Sequence, residues 1–133
     1  MSLWNEYNWL MTRDKKAPSG NRPRNAIRRN PISDCPLTAA LAAMGGKWKL
    51  IIVYWLAESP KHFGAIRRVM PGISQKVLTQ QLHELISDEV VHRQPNGPVP
   101  APVMYSLTDY GLSLLPLVEN IRRWGRGHIE RFN

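Results

Sequence analysis

The segment from Ser74 to Asp88 constrains the fold more than any other part of this sequence. Pro71-Gly72 stops the element before it, and the Ser74 hydroxyl is suited to accept a hydrogen bond from an amide in the first turn of a helix. Apolar residues then recur at the three- and four-residue spacing of a helix with one buried face, namely Val77, Leu78, Leu82, Leu85 and Ile86. The pattern predicts a surface helix that packs one side on a core.

The other side of this helix has an unusual composition. Its residues are uncharged or basic, carry hydrogen-bond donors and include no carboxylate: Gln75, Lys76, Thr79, Gln80 and His83. Such side chains suit the edges of bases and the phosphates of duplex DNA. The alternative is a merely solvated helix face, and DNA contact is the favoured interpretation.

The elements before this helix are also readable. Pro36 suits the first turn of a helix that carries Leu37, Leu41 and Met44 on one face and ends at Gly45-Gly46. A second helix, Lys47 to Ala57, is apolar nearly all round and is expected at the centre of the fold. A brief strand at Lys61 to Phe63 and a helix from Gly64 to Met70 complete this half.

After the helix, Val90–Gln94 and Val103–Leu107 are predicted to form a hairpin with a loop rich in proline and glycine. The last helix is expected to begin after Thr108 and to run towards Arg131 with a kink at Pro116. Its apolar residues cover too much of the circumference for one packing face, so part of the surface should meet a second copy of the chain. The predicted homodimer interface comprises Leu115, Val118, Ile121 and Trp124.

Helix, turn, capped helix and hairpin in this order predict a winged helix-turn-helix, a mainly α fold with a small β-hairpin. Four motifs in this order resemble the HxlR-type transcriptional regulators, relatives of the MarR group: Cys35-Pro36, Gly45-Gly46-Lys47-Trp48, the run from Pro71 to Thr79, and Tyr105-Ser106-Leu107-Thr108 with Gly111. The resemblance covers Cys35 to about Trp124. It implies a bacterial-type dimeric regulator whose recognition helix begins at Ser74 and whose terminal helices form the dimer.

The sequence departs from the family pattern at three positions. Glu89 stands where the family commonly ends the recognition helix with glycine, and it lacks the ease with which glycine adopts left-handed conformations. Pro102 precedes the second hairpin strand where an arginine is usual, and Gly64 stands in place of an asparagine or serine cap. The departure at Pro102 removes the support that the resemblance would give to contacts between the hairpin and phosphate.

Net charge and its distribution support a polyanionic partner. The chain of 133 residues carries a formal charge of +8, and about half of it lies in residues 1–34. Prolines and glycine interrupt that segment, so we expect a basic arm, with a short amphipathic helix near its start, ahead of a single domain at 35–133. Phosphate contacts, weighed evenly against ordinary surface charge, are expected from Lys47, Lys49, Arg67, Arg68 and Arg93.

Several function classes are disfavoured. The apolar runs are too short for a membrane span, no secretory leader is apparent, and the chain has one cysteine. The four histidines lack metal-ligand spacing and there is no glycine-rich phosphate loop, so we expect no enzyme, metal or cofactor. A cytoplasmic protein of the nucleoid is expected, binding duplex DNA as a homodimer and acting as a repressor on an inverted repeat. The competing class is a winged helix used for protein contacts, which would lack salt-sensitive DNA binding.

Cys35 carries one further hypothesis. Some regulators of the HxlR type sense oxidants or electrophiles through a cysteine at this place, and a helix N-terminus lowers a thiol pKa. The alternative is a small, partly buried residue with no such role. A single cysteine restricts any disulfide to a second subunit or a small thiol. The resemblance identifies no small-molecule effector.

Overall fold

The computed structural model describes residues 35–95, 98 and 102–133. The expected basic arm and its short helix lie outside these residues. Within them the first half contains α1 (Pro36–Met44), α2 (Lys49–Glu58), β1 (Lys61–His62), α3 (Phe63–Arg68) and α4 (Gln75–Ser87). The second half contains β2 (Val91–Pro95), β3 (Val103–Leu107), α5 (Asp109–Leu112) and α6 (Leu115–Phe132). The prediction of a mainly α fold with a small hairpin is confirmed.

The three strands form one antiparallel sheet in the order β1-β3-β2. The hairpin register places Val91 opposite Leu107 and Arg93 opposite Tyr105, while Lys61 of β1 lies on the other side of Tyr105. The brief predicted strand is therefore present as β1, and it adds a third strand to the hairpin, on the side of β3. Because α4 leads directly into β2, the sheet fixes the end of that helix.

The core is built on α2 and α4. Helix α2 is apolar nearly all round, as expected of a helix at the centre, and it buries Ile52, Val53 and Leu56. Helix α4 buries the predicted stripe through its residues Leu78, Leu82 and Leu85. Further buried residues come from the other elements and turns, namely Met44, Ile66, Met70, Ile73, Val90, Val91 and Val118.

Three expectations about element boundaries need correction. The last helix does not run unbroken to a kink at Pro116, since it divides into α5 and α6 and Pro116 lies in the first turn of α6, where its missing amide hydrogen costs nothing. Helix α2 begins at Lys49 rather than Lys47. Helix α3 is capped by His62, whose Nδ1 accepts a hydrogen bond of 3.1 Å from the Ala65 amide, so Gly64 is not its cap residue.

The described residues contain no single helix long and apolar enough to cross a membrane. Helices α1 and α2 meet the length and composition requirement only as a pair, and they are bent by 73° relative to each other.

Candidate nucleic-acid interface

The start of α4 is held by local interactions, of which the sequence predicted the Ser74 cap. The Ser74 Oγ accepts a hydrogen bond of 3.1 Å from the Val77 amide. Gly72 adopts a positive φ of 90° in the turn before it, a conformation that glycine adopts without steric cost. Ile73 and Leu78 are both buried, as in a hydrophobic staple that fixes how the chain enters a helix. The direction of α4 is therefore set before its polar face begins.

The polar face of α4 is open to solvent. All six of its predicted DNA-binding residues are exposed, namely Ser74, Gln75, Lys76, Thr79, Gln80 and His83. The Thr79 hydroxyl donates 2.8 Å to the Gln75 carbonyl, so its proton is used within the helix and its oxygen remains available as an acceptor. The face thus presents side-chain amides, an ammonium, an imidazole and a hydroxyl oxygen side by side.

The predicted phosphate contacts outside α4 divide into two groups. Arg67 and Arg68 lie exposed in the last turn of α3, and Arg93 is exposed on β2. Lys47 is exposed ahead of α2, with its Nζ 4.7 Å from the centre of the Trp48 ring. These four cations remain available to a polyanion.

Lys49 belongs to the other group, and the structure contradicts its prediction as a phosphate contact. The residue is 5% exposed, and its Nζ lies 2.9 Å from Oε2 of Glu84 in α4. The same nitrogen donates to the Ala43 carbonyl at 3.3 Å. A charge enclosed in this way is already compensated, so Lys49 is unavailable to DNA. Sequence spacing gave no signal for this pairing, because the two helices meet only in the tertiary fold.

Helix α4 ends just before Glu89, the position where the family commonly has glycine. Val90 donates to the Leu85 carbonyl at 2.9 Å and Glu89 donates to the Ile86 carbonyl at 3.0 Å, which is the hydrogen-bond pair of a Schellman motif. Glu89 occupies the left-handed position of that motif with a φ of 63°. The helix therefore ends where a glycine would be expected to end it, with a residue that has a Cβ.

Cys35 is exposed and is the N-cap residue of α1. The backbone amide of Thr38 lowers the pKa of its thiol most, followed by the Thr38 hydroxyl and the Leu37 amide. These polar groups of the first helical turn favour the thiolate, as the sequence argument expected. The alternative of a partly buried residue does not hold for the single chain, since Cys35 is exposed.

The predicted dimer residues do not share one environment. Val118 is 8% exposed and belongs to this chain's own core, and Leu115 packs against that core. In contrast, Ile121 is 48% exposed and Trp124 is 70% exposed. Val118 is therefore a core residue of the single chain, whereas an interface at Leu115, Ile121 and Trp124 stays a prediction. The predicted interface left out other large apolar residues that are exposed on α1 and α6, namely Leu37, Leu41, Ile129 and Phe132.

Trp124, His128 and Phe132 form a continuous aromatic row along the exposed part of α6. The Trp124 and His128 rings stack with centroids 4.9 Å apart, and the His128 and Phe132 centroids lie 5.0 Å apart. An apolar groove between α2 and α6 is lined by Leu50, Ile51, Tyr54 and Ile121 among others, and Ile121 lies three residues before Trp124. Across the described residues, no group of three or more histidine, cysteine, aspartate or glutamate side chains is placed to hold a metal ion.

Comparison with known proteins gives matches to a family profile, to curated relatives and to solved structures. The profile of the HxlR-like helix-turn-helix family matches residues 43–133. YybR of Bacillus subtilis, described as an uncharacterized HTH-type transcriptional regulator, is 43% identical over 94 residues, which are 71% of this chain and 75% of YybR.

Two solved structures are similar along most of the described chain. The redox regulator HypR in its oxidized form is 43% identical with a TM-score of 0.67, and the match covers 70% of this chain and 96% of HypR. The reduced form of the transcriptional regulator YodB from Bacillus subtilis is 33% identical with a TM-score of 0.61, covering 68% of this chain and 88% of YodB.

These relatives are transcriptional regulators rather than enzymes, and the architecture they share with this chain is a winged helix-turn-helix, in which α3 and α4 are the helix pair and β2 and β3 form the wing. With its profile match, its curated relatives and its fold in agreement, the chain belongs to the HxlR-like helix-turn-helix family of transcriptional regulators.

Proposed function

We propose that this regulator works as a homodimer in the cytoplasm, at the nucleoid, and represses transcription by reading an inverted-repeat operator with α4. The observation that carries the proposal is the exposed polar face of α4, which a cap and a buried staple orient and which contains donors and acceptors but no carboxylate. A helix of this kind enters the major groove in helix-turn-helix proteins.

The side chains of this face support a division of roles. Gln75 and Gln80 each offer one donor and one acceptor, the pair that adenine presents in the major groove, and each such contact discriminates by about 1–3 kcal/mol. Lys76 offers donors alone and suits phosphate or guanine. Arg67 and Arg68 are exposed cations in α3, the first helix of the pair, and they suit phosphate contacts, which position the protein without reading sequence.

The experiment is to select bound fragments from genomic DNA and to titrate variants against the selected operator and an unrelated duplex at several salt concentrations. Gln80→Ala should chiefly relax sequence preference, whereas Lys76→Ala should weaken binding to both duplexes and flatten the salt dependence. The control is Glu119→Gln, which removes an exposed carboxylate on α6. Unchanged affinity and specificity in both Gln75→Ala and Gln80→Ala would refute the assignment of the reading helix, and absence of salt-sensitive DNA binding would favour a protein-interaction role.

The homodimer is supported by the apolar surface that α6 leaves exposed, above all Ile121 and the aromatic row that begins at Trp124. Two α4 helices in successive major grooves would lie about 34–36 Å apart. Sedimentation at micromolar concentration should show a dimer that Ile121→Asp dissociates, because the substitution places an unpaired charge in an apolar interface. The matched control Arg123→Asp changes a neighbouring exposed residue on the polar side of the same helix. A monomeric parent would contradict the proposal.

We also propose that thiol-reactive stress is the signal for this regulator, and that it changes DNA affinity by modifying Cys35. It is supported by the exposure of Cys35, by the first-turn groups that lower its pKa, and by the similarity to HypR, which is described as a redox regulator. In this step two thiols join in a disulfide and release two protons, and an oxidant such as diamide accepts the two electrons. The two thiols are either those of Cys35 in the two subunits, or one Cys35 thiol and a small thiol. Cys35→Ser should abolish the response to diamide, and a parent-like response in that variant would exclude the mechanism.

A further inference from the structure

Lys49 is a buried charge that the proposed DNA contacts do not use. Among the described residues it is the buried side chain that carries a full charge, and it lies where three helices meet. Its Nζ contacts the Ala43 carbonyl near the end of α1 and the Glu84 carboxylate in α4, while Lys49 itself is the first residue of α2.

Such a site is a poor source of stability. Removing an ammonium from water carries a large penalty, and replacing a buried ion pair with apolar residues of similar volume is often neutral or stabilising. In some proteins, however, a buried polar pair restricts the elements that it joins to one arrangement. The contact with Ala43 matters for the same reason, because the connection from α1 to α2 passes through Gly45-Gly46, with Gly46 at a positive φ of 94°. Lys49 thus adds a polar link between α1 and α4 beside the apolar packing of Met44 and Trp48.

The position of Glu84 connects this contact to the polar face. Glu84 lies four residues after Gln80, so the two side chains are neighbours on the helix surface. An uncompensated carboxylate at that place would repel the phosphates that flank a major groove. The ammonium of Lys49 neutralises it from the protein side, at 2.9 Å.

We propose that Lys49 is a positioning residue for DNA reading: by joining Ala43 to Glu84 it fixes α4 relative to α1 and neutralises the Glu84 carboxylate beside the polar face. The inference rests on the proposed function, since it concerns how the same helix reads an operator. It predicts that the pair affects discrimination between DNA sequences more than it affects folding.

The test uses the full chain and the double variant Lys49→Met with Glu84→Met, which removes both charges and keeps apolar volume in the core. Its unfolding midpoint in urea should stay close to that of the parent, whereas its affinity for the selected operator should fall about tenfold, the effect of one mismatched base pair. Affinity for an unrelated duplex should change by less than about twofold, because the exposed phosphate contacts remain. The control is Glu119→Gln with Arg122→Gln, which removes an exposed ion pair of 3.4 Å on α6.

A second variant keeps the proposal testable if the double variant does not fold. Glu84→Asp retains the charge pair but shortens the carboxylate by one methylene, so it should weaken operator binding by an intermediate factor while the protein stays folded. A parent-like ratio of operator to unrelated affinity in the folded variants, or a loss of stability with that ratio unchanged, would overturn the inference. The proposed function fails separately, if the parent itself binds no duplex in a salt-sensitive manner.

Discussion

Replacing Glu89 with glycine should stabilise the protein. Glu89 holds the left-handed position at the end of α4 with a φ of 63°, where the Cβ of an L-residue approaches the backbone too closely. The cost of that conformation is roughly 1–2 kcal/mol for a residue other than glycine. Because glycine has more freedom in the unfolded chain, about 0.4–1 kcal/mol of the gain is lost again. The expected net increase in the free energy of unfolding is about 0.5–1 kcal/mol.

The hydrogen bonds at this site do not depend on the glutamate side chain. The Schellman pair uses the amides of Glu89 and Val90, and the Thr108 hydroxyl donates to the Glu89 carbonyl at 2.5 Å. These donors and acceptors are backbone groups of residues 89 and 90 and the Thr108 hydroxyl, so they persist in the glycine variant. The substitution therefore changes backbone strain and one charge, and little else.

Two further variants separate these effects. Glu89→Ala removes the charge near the C-terminal end of α4 but keeps a Cβ, so it reports the helix-dipole contribution, a few tenths of a kcal/mol at an exposed site. Glu89→Asn places a residue that tolerates the left-handed region and should lie between alanine and glycine. The expected order of stability is glycine, asparagine, alanine and then the parent.

The assay is urea unfolding at a fixed protein concentration, with fluorescence and circular dichroism followed together. A higher midpoint with an unchanged slope would show that stability rather than compactness has changed. The melting temperature should rise by about 2–4 °C for a domain of this size. The reasoning is refuted if Glu89→Gly is no more stable than Glu89→Ala, since strain at the left-handed position would then contribute nothing.

Three other substitutions or treatments have defined outcomes. Gly111→Ala should destabilise the protein by about 1–3 kcal/mol in urea unfolding, because the new Cβ would lie 2.2 Å from the Val90 carbonyl oxygen, whereas Gly127→Ala, which meets nothing, should be neutral or stabilising. Ser74→Ala should lower the free energy of unfolding by about 1 kcal/mol through loss of the cap, and a change below the error of the titration would contradict that role. Alkylation of Cys35 should reach half its maximal rate at a lower pH in the folded protein than in urea, because the folded chain lowers the thiol pKa and only the thiolate reacts; coincident profiles would argue against it.

The sequence predicted those features of the site that depend on residues close to one another along the chain. The cap at Ser74 and the buried stripe of α4 follow from residue types at fixed spacing, and both are present. The cap of α3 did not follow, because capping preferences rank small polar residues first and give no reason to expect the ring nitrogen of His62 as the acceptor. A proline is compatible both with a kink inside a helix and with the first turn of a helix. Pro116 lies in the first turn of α6, because the helix is interrupted between α5 and α6.

The features that the sequence did not predict depend on contacts between elements that are distant along the chain. Lys49 reads as a surface cation in sequence, and its enclosure depends on Glu84 in another helix. Val118 and Trp124 both belong to the apolar arc of α6, and periodicity alone does not distinguish an apolar residue that packs on its own chain from one that stays exposed. What separates them is where α6 passes beyond the body of the domain, which only the fold determines.

That passage of α6 beyond the body has a consequence for local order. Beyond Val118 the helix places most of its side chains in solvent, and it contains Gly125 and Gly127, each of which lowers helix stability by about 1 kcal/mol relative to alanine. Isolated helices of such length are marginal in water. In the single chain the amides of this last stretch should therefore exchange with solvent deuterium by local fraying, while the amides of Ile52 and Leu78 exchange only when the whole domain opens. Hydrogen exchange should thus reveal two tiers of protection, with the boundary one or two turns after Val118.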